Sequence, residues 1–127
     1  MNRLTLIAAV ALAGCGTTTD VATYQQSISE LQAVVDTHAT DALAAPDCAA
    51  EHQRYDDAAR PQLRQMTRMS GGMMMNMRSM CGSMQTELDR HAGAACAGDA
   101  AANHAEAQRH CQLMRDWLAR QRAGTQP

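Results

Sequence analysis

The sequence predicts an all-α protein, an antiparallel up-down-up-down bundle of four helices. Three observations carry that expectation. Apolar residues recur in steps of four and three along four segments, Pro and Gly breakers separate the segments, and no stretch shows the two-residue alternation of a half-buried strand. Neither a nucleotide-binding glycine pattern nor an internal repeat competes with this reading.

The first stripe is Tyr24, Ile28, Leu31, Val35, His38 and Ala42, on a helix that ends before Pro46. A second helix starts near Asp47 and carries Cys48, His52, Tyr55, Ala59, Leu63 and Met66, with Pro61 expected to kink it because proline has no N–H to give the ladder. Ser70-Gly71-Gly72 breaks the chain. After it Met73, Met77, Met80, Met84, Leu88, His91 and Ala95 make the most regular stripe of the four. Ala97-Gly98-Asp99 is a turn with Asp99 placed as N-cap, and His104, Ala107, Cys111, Met114 and Leu118 form the fourth stripe. The bundle is thus expected over 21–123, with 124–127 as a disordered tail.

At the N-terminus, Met1 to Arg3 give a short positive region, Leu4 to Ala13 an apolar run too short for a permanent span, and Gly14 a small residue at a cleavage point. Leu12-Ala13-Gly14-Cys15 resembles the lipobox of bacterial lipoproteins. That resemblance implies a signal peptide over 1–14, diacylglycerol on the Cys15 thiol, further acylation of the new amino terminus, and a tether over 15–20. Several acyl chains anchor firmly where one binds only marginally. With Gly16 rather than Asp after the cysteine, similarity to enterobacterial sorting implies the periplasmic face of the outer membrane.

The remaining length, about 110 residues, suffices for one domain with one modest core. Thirteen acidic residues nearly balance eleven basic ones, every basic residue is Arg, and no basic block occurs, which argues against a nucleic-acid partner. The core inventory is unusual: no Phe, one Trp, two Tyr and ten Met. In an oxidising compartment Cys48, Cys81, Cys96 and Cys111 are expected to pair. Residues equidistant from an antiparallel turn lie side by side, which joins Cys48 to Cys96 and Cys81 to Cys111. Cys81 with Cys96 would lie roughly 22 Å apart along one helix. Two such bridges would each stabilise a small domain by about 2–4 kcal/mol. Thiolates holding a metal are the alternative, but the chain has no CxxC or CxxxC spacing.

The same alignment puts His38, His52, His91 and His104 in one layer, within roughly 2–3 Å of axial height, and leaves His110 outside it. Four inward imidazoles would offer nitrogen lone pairs to Zn, Cu, Ni or Fe, with Asp41, Glu51, Asp56, Glu87 and Asp89 near enough in sequence to hold their other nitrogens. The competing reading is four hydrogen-bonded interior histidines.

Methionine is crowded as well: Met66, Met69, Met73, Met74, Met75, Met77, Met80 and Met84 share one stretch, and Met114 faces them from the fourth helix. Thioether is a soft ligand suited to Cu(I). The segment Met66–Met84, with its MxxM and MxM spacings, resembles the Met-rich stretches of periplasmic copper-resistance and copper-trafficking proteins, which implies copper as ligand; it covers under a fifth of the chain. Equally, Met fills irregular cores, and this core has no Phe.

The leading functional expectation is a non-enzymatic, lipid-anchored envelope protein that binds copper or zinc for storage, tolerance or delivery. A second is a structural or adaptor lipoprotein, similar in kind to pilotins or assembly factors, whose Met surface grips a helix of an envelope partner. Haem between two histidines finds no CxxCH, and hydrolase or transferase chemistry finds no nucleophile motif, no ExxH pair and no HExxH.

Overall fold

The computed structural model describes residues 16–73 and 75–126, so the expected signal peptide over 1–14 and the expected lipid attachment at Cys15 fall outside the described residues, as do Met74 and Pro127. The order is α1 (Gly16–Ala44), α2 (Cys48–Met69), a single 3-10 turn (Ser70–Gly72), α3 (Met75–Ala94) and α4 (Ala100–Gly124). Helical backbone therefore already begins within the stretch that the sequence gives to the tether.

Among the described residues each helix backbone packs on two others, α1 on α2 and α4, and α3 on α2 and α4, and only side chains reach across the diagonals. This is the ring of an up-down-up-down bundle, in which short turns force neighbours in sequence to be antiparallel neighbours in space. The stripes read from the sequence form its core. Tyr24, Ile28, Leu31 and Val35 of α1 meet Tyr55, Ala59, Leu63 and Met66 of α2, Met77, Cys81, Met84 and Leu88 of α3, and Cys111, Met114 and Leu118 of α4.

Local chemistry fixes the ends. Asp47 caps α2 by accepting from Ala50 N at 3.1 Å, and Asp99 caps α4 by accepting from Ala102 N at 2.8 Å. Gly98 is demanded by close approach, since a Cβ there would come within 2.8 Å of the Ala102 Cβ. Pro61 sits on the exposed side of α2, which remains one helix from Cys48 to Met69. Among the described residues no helix is long and apolar enough to cross a membrane.

Cys48 and Cys96 form the expected disulfide, with an S–S distance of 2.05 Å and Cα atoms 5.9 Å apart, tying the start of α2 to the turn after α3. The other expected pair is not made: Cys81 and Cys111 are both free and buried. Equal height brought both into the core but did not aim them at each other. Cys81 Sγ lies 3.4 Å from both the Tyr24 hydroxyl and Gln121 Nε2, whereas the Cys111 thiol turns to the Val35 carbonyl of α1 at 3.7 Å. Burial pushes the Cys111 thiol up to about 11.

Candidate metal centre

The buried histidines gather at the end of the bundle that holds the α1–α2 and α3–α4 turns. His38 near the end of α1, His91 near the end of α3 and His110 within α4 are 3 %, 0 % and 0 % exposed. His52, in the second turn of α2, is half-buried, yet its Nε2 is fully enclosed and has no hydrogen-bond partner.

A carboxylate sets the tautomer of each buried ring, because it can only accept. His38 donates from Nδ1 to Glu51 Oε1 at 2.7 Å, His91 from Nδ1 to Glu106 Oε1 at 2.8 Å, and His110 from Nδ1 to Glu87 Oε1 at 2.9 Å. With the proton on Nδ1, every Nε2 keeps a lone pair. That of His110 accepts from the Tyr55 hydroxyl at 2.7 Å. Those of His38 and His91 face each other at 3.1 Å, so with both rings neutral two acceptors stand at hydrogen-bond distance.

Ring stacking holds this arrangement rigid. Tyr55 lies on His38 with centroids 3.9 Å apart, and His110 on His91, also at 3.9 Å. His52 stands beside the facing pair, its centroid 5.0 Å from that of His91 and 6.0 Å from that of His38. Burial, then the charge of its neighbours, disfavours protonation here. His91 is lowered to about 4 and His110 to about 3, both chiefly by burial, and His52 is lowered by burial and then by His38.

Glu87 and Glu106 are held from outside by two arginines. Arg90 forks onto Glu87 with two contacts of 2.9 Å and also reaches Glu106; Arg109 reaches Glu87 and donates from Nε to Glu106 Oε2 at 3.1 Å. The pattern is crossed: Glu87 of α3 serves His110 of α4, and Glu106 of α4 serves His91 of α3. A five-residue motif that was not recognised in the sequence underlies it, Glu87-Leu-Asp-Arg90-His91 and Glu106-Ala-Gln-Arg109-His110. A third copy, Glu51-His52-Gln53-Arg54-Tyr55, has Tyr55 in the last place.

A cavity of about 10 Å³, room for one ion or water molecule, lies among these groups; its walls include His38, Cys48, Glu51, His52 and His91. No methionine lines it. No protein-family model, curated protein or solved structure matches this chain. Its chemistry is therefore read from these residues alone.

The four-histidine layer needs one correction. His104 is part-exposed and makes no ring contact with the others, while His110, left out of the layer, is fully buried against His91. The fourth stripe is wide enough to take both His110 and Cys111 between Ala107 and Met114, so height alone chose the wrong imidazole. Of the carboxylates expected to orient the rings, Glu51 and Glu87 do so. Asp56 and Asp89 instead bind Arg60, each at 2.7 Å, and Asp41 lines a separate hollow between α1 and α2. Glu106 was missed, although its four-residue spacing from His110 repeats that of Glu87 from His91.

Among the described residues no three His, Cys, Asp or Glu side chains already stand at metal-ligand spacing. Two nitrogens are in place, His38 Nε2 and His91 Nε2, and His52 Nε2 is the nearest group left over. Their 3.1 Å separation compares with roughly 3.3 Å for two nitrogens on one tetrahedral zinc at 2.0–2.1 Å. The expected methionine ligands go elsewhere: Met66, Met77, Met84 and Met114 fill the core, and Met69, Met73 and Met80 pack against it.

Proposed function

We propose that this chain binds one transition-metal ion, copper or zinc, between His38, His52 and His91, and that it does so in the bacterial envelope, held to a membrane through lipid on Cys15. The observation that carries the metal reading is the pair of Nε2 lone pairs facing each other at 3.1 Å. Such a pair accommodates either a proton or a metal ion between the two nitrogens, and burial disfavours the proton on His91. Neutral imidazole suits copper and zinc, and Glu51 and Glu106, each on the far nitrogen of a ligand ring, would fix its orientation and raise its basicity.

The cavity favours holding an ion over turning over a substrate, since it has room for little else. The same confinement favours an ion over haem. Anchoring in the envelope rests on the Leu12-Ala13-Gly14-Cys15 sequence. Storage, tolerance or delivery of the ion are the roles that fit a non-enzymatic lipoprotein with one buried site.

The test is titration of metal-free mature protein with Zn(II), Cu(II) and Cu(I) against competing chelators. One equivalent should bind with sub-micromolar affinity. His91→Ala should abolish it and His104→Ala should leave it intact. Absence of binding to all three ions would transfer the protein to the adaptor reading, for which Met75, 87 % exposed at the α2–α3 end, is the supporting observation.

A further inference from the structure

Cys48 is the first residue of α2 and lines the cavity together with His38, His52 and His91. His52 follows it by four residues, so the two project from the same face of α2 one turn apart, the spacing at which a helix can chelate one ion with both side chains. The sulfur of Cys48 is bonded to Cys96, whose residue is exposed in the turn after α3. A donor is thus stationed at the site and withheld from it by a bond that solvent can reach.

We propose that the Cys48–Cys96 disulfide is a redox gate on the metal centre, and that its reduction adds Cys48 as a thiolate ligand to the three histidines. This rests on the metal reading above and names the regulation of that site. The reductant is a dithiol of the thioredoxin-like chemical class. One of its thiolates attacks the Sγ of Cys96, the more exposed of the two residues, and the Cys48 sulfur leaves with the bonding electron pair. The second dithiol sulfur then displaces Cys96, so the reductant ends as a disulfide and the protein holds two thiols. On metal binding, Cys48 loses its proton to solvent and a sulfur–metal bond replaces the S–H bond.

Reduction turns an all-nitrogen set into one sulfur and three nitrogens. Thiolate is charged and soft, so the gain is greatest for Zn(II) and Cu(I). Cys81 and Cys111 do not take this part, being turned to Tyr24, Gln121 and Val35 away from the cavity.

Anaerobic titration with Co(II), a spectroscopic stand-in for Zn(II), tests the proposal on the native disulfide form, on the same protein reduced with a phosphine, on Cys96→Ser, and on Cys48→Ser with Cys96→Ser. Helical circular dichroism verifies folding, and the phosphine-reduced native chain covers the case in which a variant does not fold. The reduced protein and Cys96→Ser should bind Co(II) at least about tenfold more tightly than the disulfide form and show a thiolate-to-cobalt charge-transfer band. The double variant should lack the band and bind like the disulfide form. No gain on reduction, or a band that survives in the double variant, overturns the gate. The two readings fail separately: binding by the disulfide form without gain on reduction removes only the gate, while no binding in any form removes the histidine site itself. Binding only after reduction keeps Cys48 as ligand and removes the claim that the histidines suffice.

Discussion

At the end of the bundle where α2 turns into α3, the buried polar groups around Gln121 find partners, although Gln62 Oε1 higher on α2 does not. Gln121, fully buried, bonds the Tyr24 hydroxyl through its oxygen and gives its amide to the Met77 carbonyl at 3.3 Å and to Cys81 at 3.4 Å. Met66, Met77, Met84 and Met114 fill the space around this knot. At the opposite end every Nδ1 of the buried histidines is as well satisfied, but the Nε2 atoms are not: two face each other and His52 Nε2 faces nothing. Both regions are dense and both looked like metal sites in the sequence. At the methionine end the ligand-type residues are accounted for by packing, whereas at the histidine end unpartnered nitrogens are held close together, and the metal proposal rests on that contrast.

The largest effect that tests this contrast is on stability. Met84→Ala should cost about 2–5 kcal/mol through lost contacts and a residual cavity, measured by denaturant unfolding of the metal-free protein. Met84→Leu, nearly equal in volume, should cost under about 1.5 kcal/mol and leave Cu(I) affinity unchanged. A fall in Cu(I) affinity on Met84→Leu would show the methionines to be ligands and erase the contrast.

Next in size is the support given to His38. Glu51→Ala should weaken metal binding by about 10–100-fold, since the freed ring loses its tautomer and its aim. Unchanged affinity would mean that the ring orientation does not matter to binding.

Acid acts on the histidine end alone. His91 and His110 take up protons in the unfolded chain near 6.5 but in the folded one only near about 4 and about 3. Between those values the unfolded state binds more protons, so their contribution to stability is fully present above 6.5 and is lost progressively as pH falls towards 4. With chelator present, the Tm should decline over that window. A level Tm from pH 6.5 to 4 would contradict the buried neutral state of these rings.

The smallest effect belongs to Met75, the most exposed large hydrophobe among the described residues. Met75→Ser should change stability by under about 0.5 kcal/mol, because the side chain is 87 % exposed. A loss beyond that would mean that Met75 is covered in solution.

Period and local backbone chemistry made the four helices, their breaks, the Asp99 cap and most of the core legible in the sequence. Tyr24, Ile28, Leu31 and Val35 could be read as buried from spacing alone, and helix arithmetic predicted the Cys48–Cys96 pairing, where the start of α2 meets the turn after α3. Tertiary structure alone decided where side chains point at a given height. It turned Cys81 and Cys111 to different partners, replaced His104 with His110, chose Glu106 over Asp56 and Asp89, and sent the methionines to packing. Axial position depends on residue count, which the chain carries openly; azimuth within a wide stripe depends on what the neighbouring helices offer, and that exists only once they have packed.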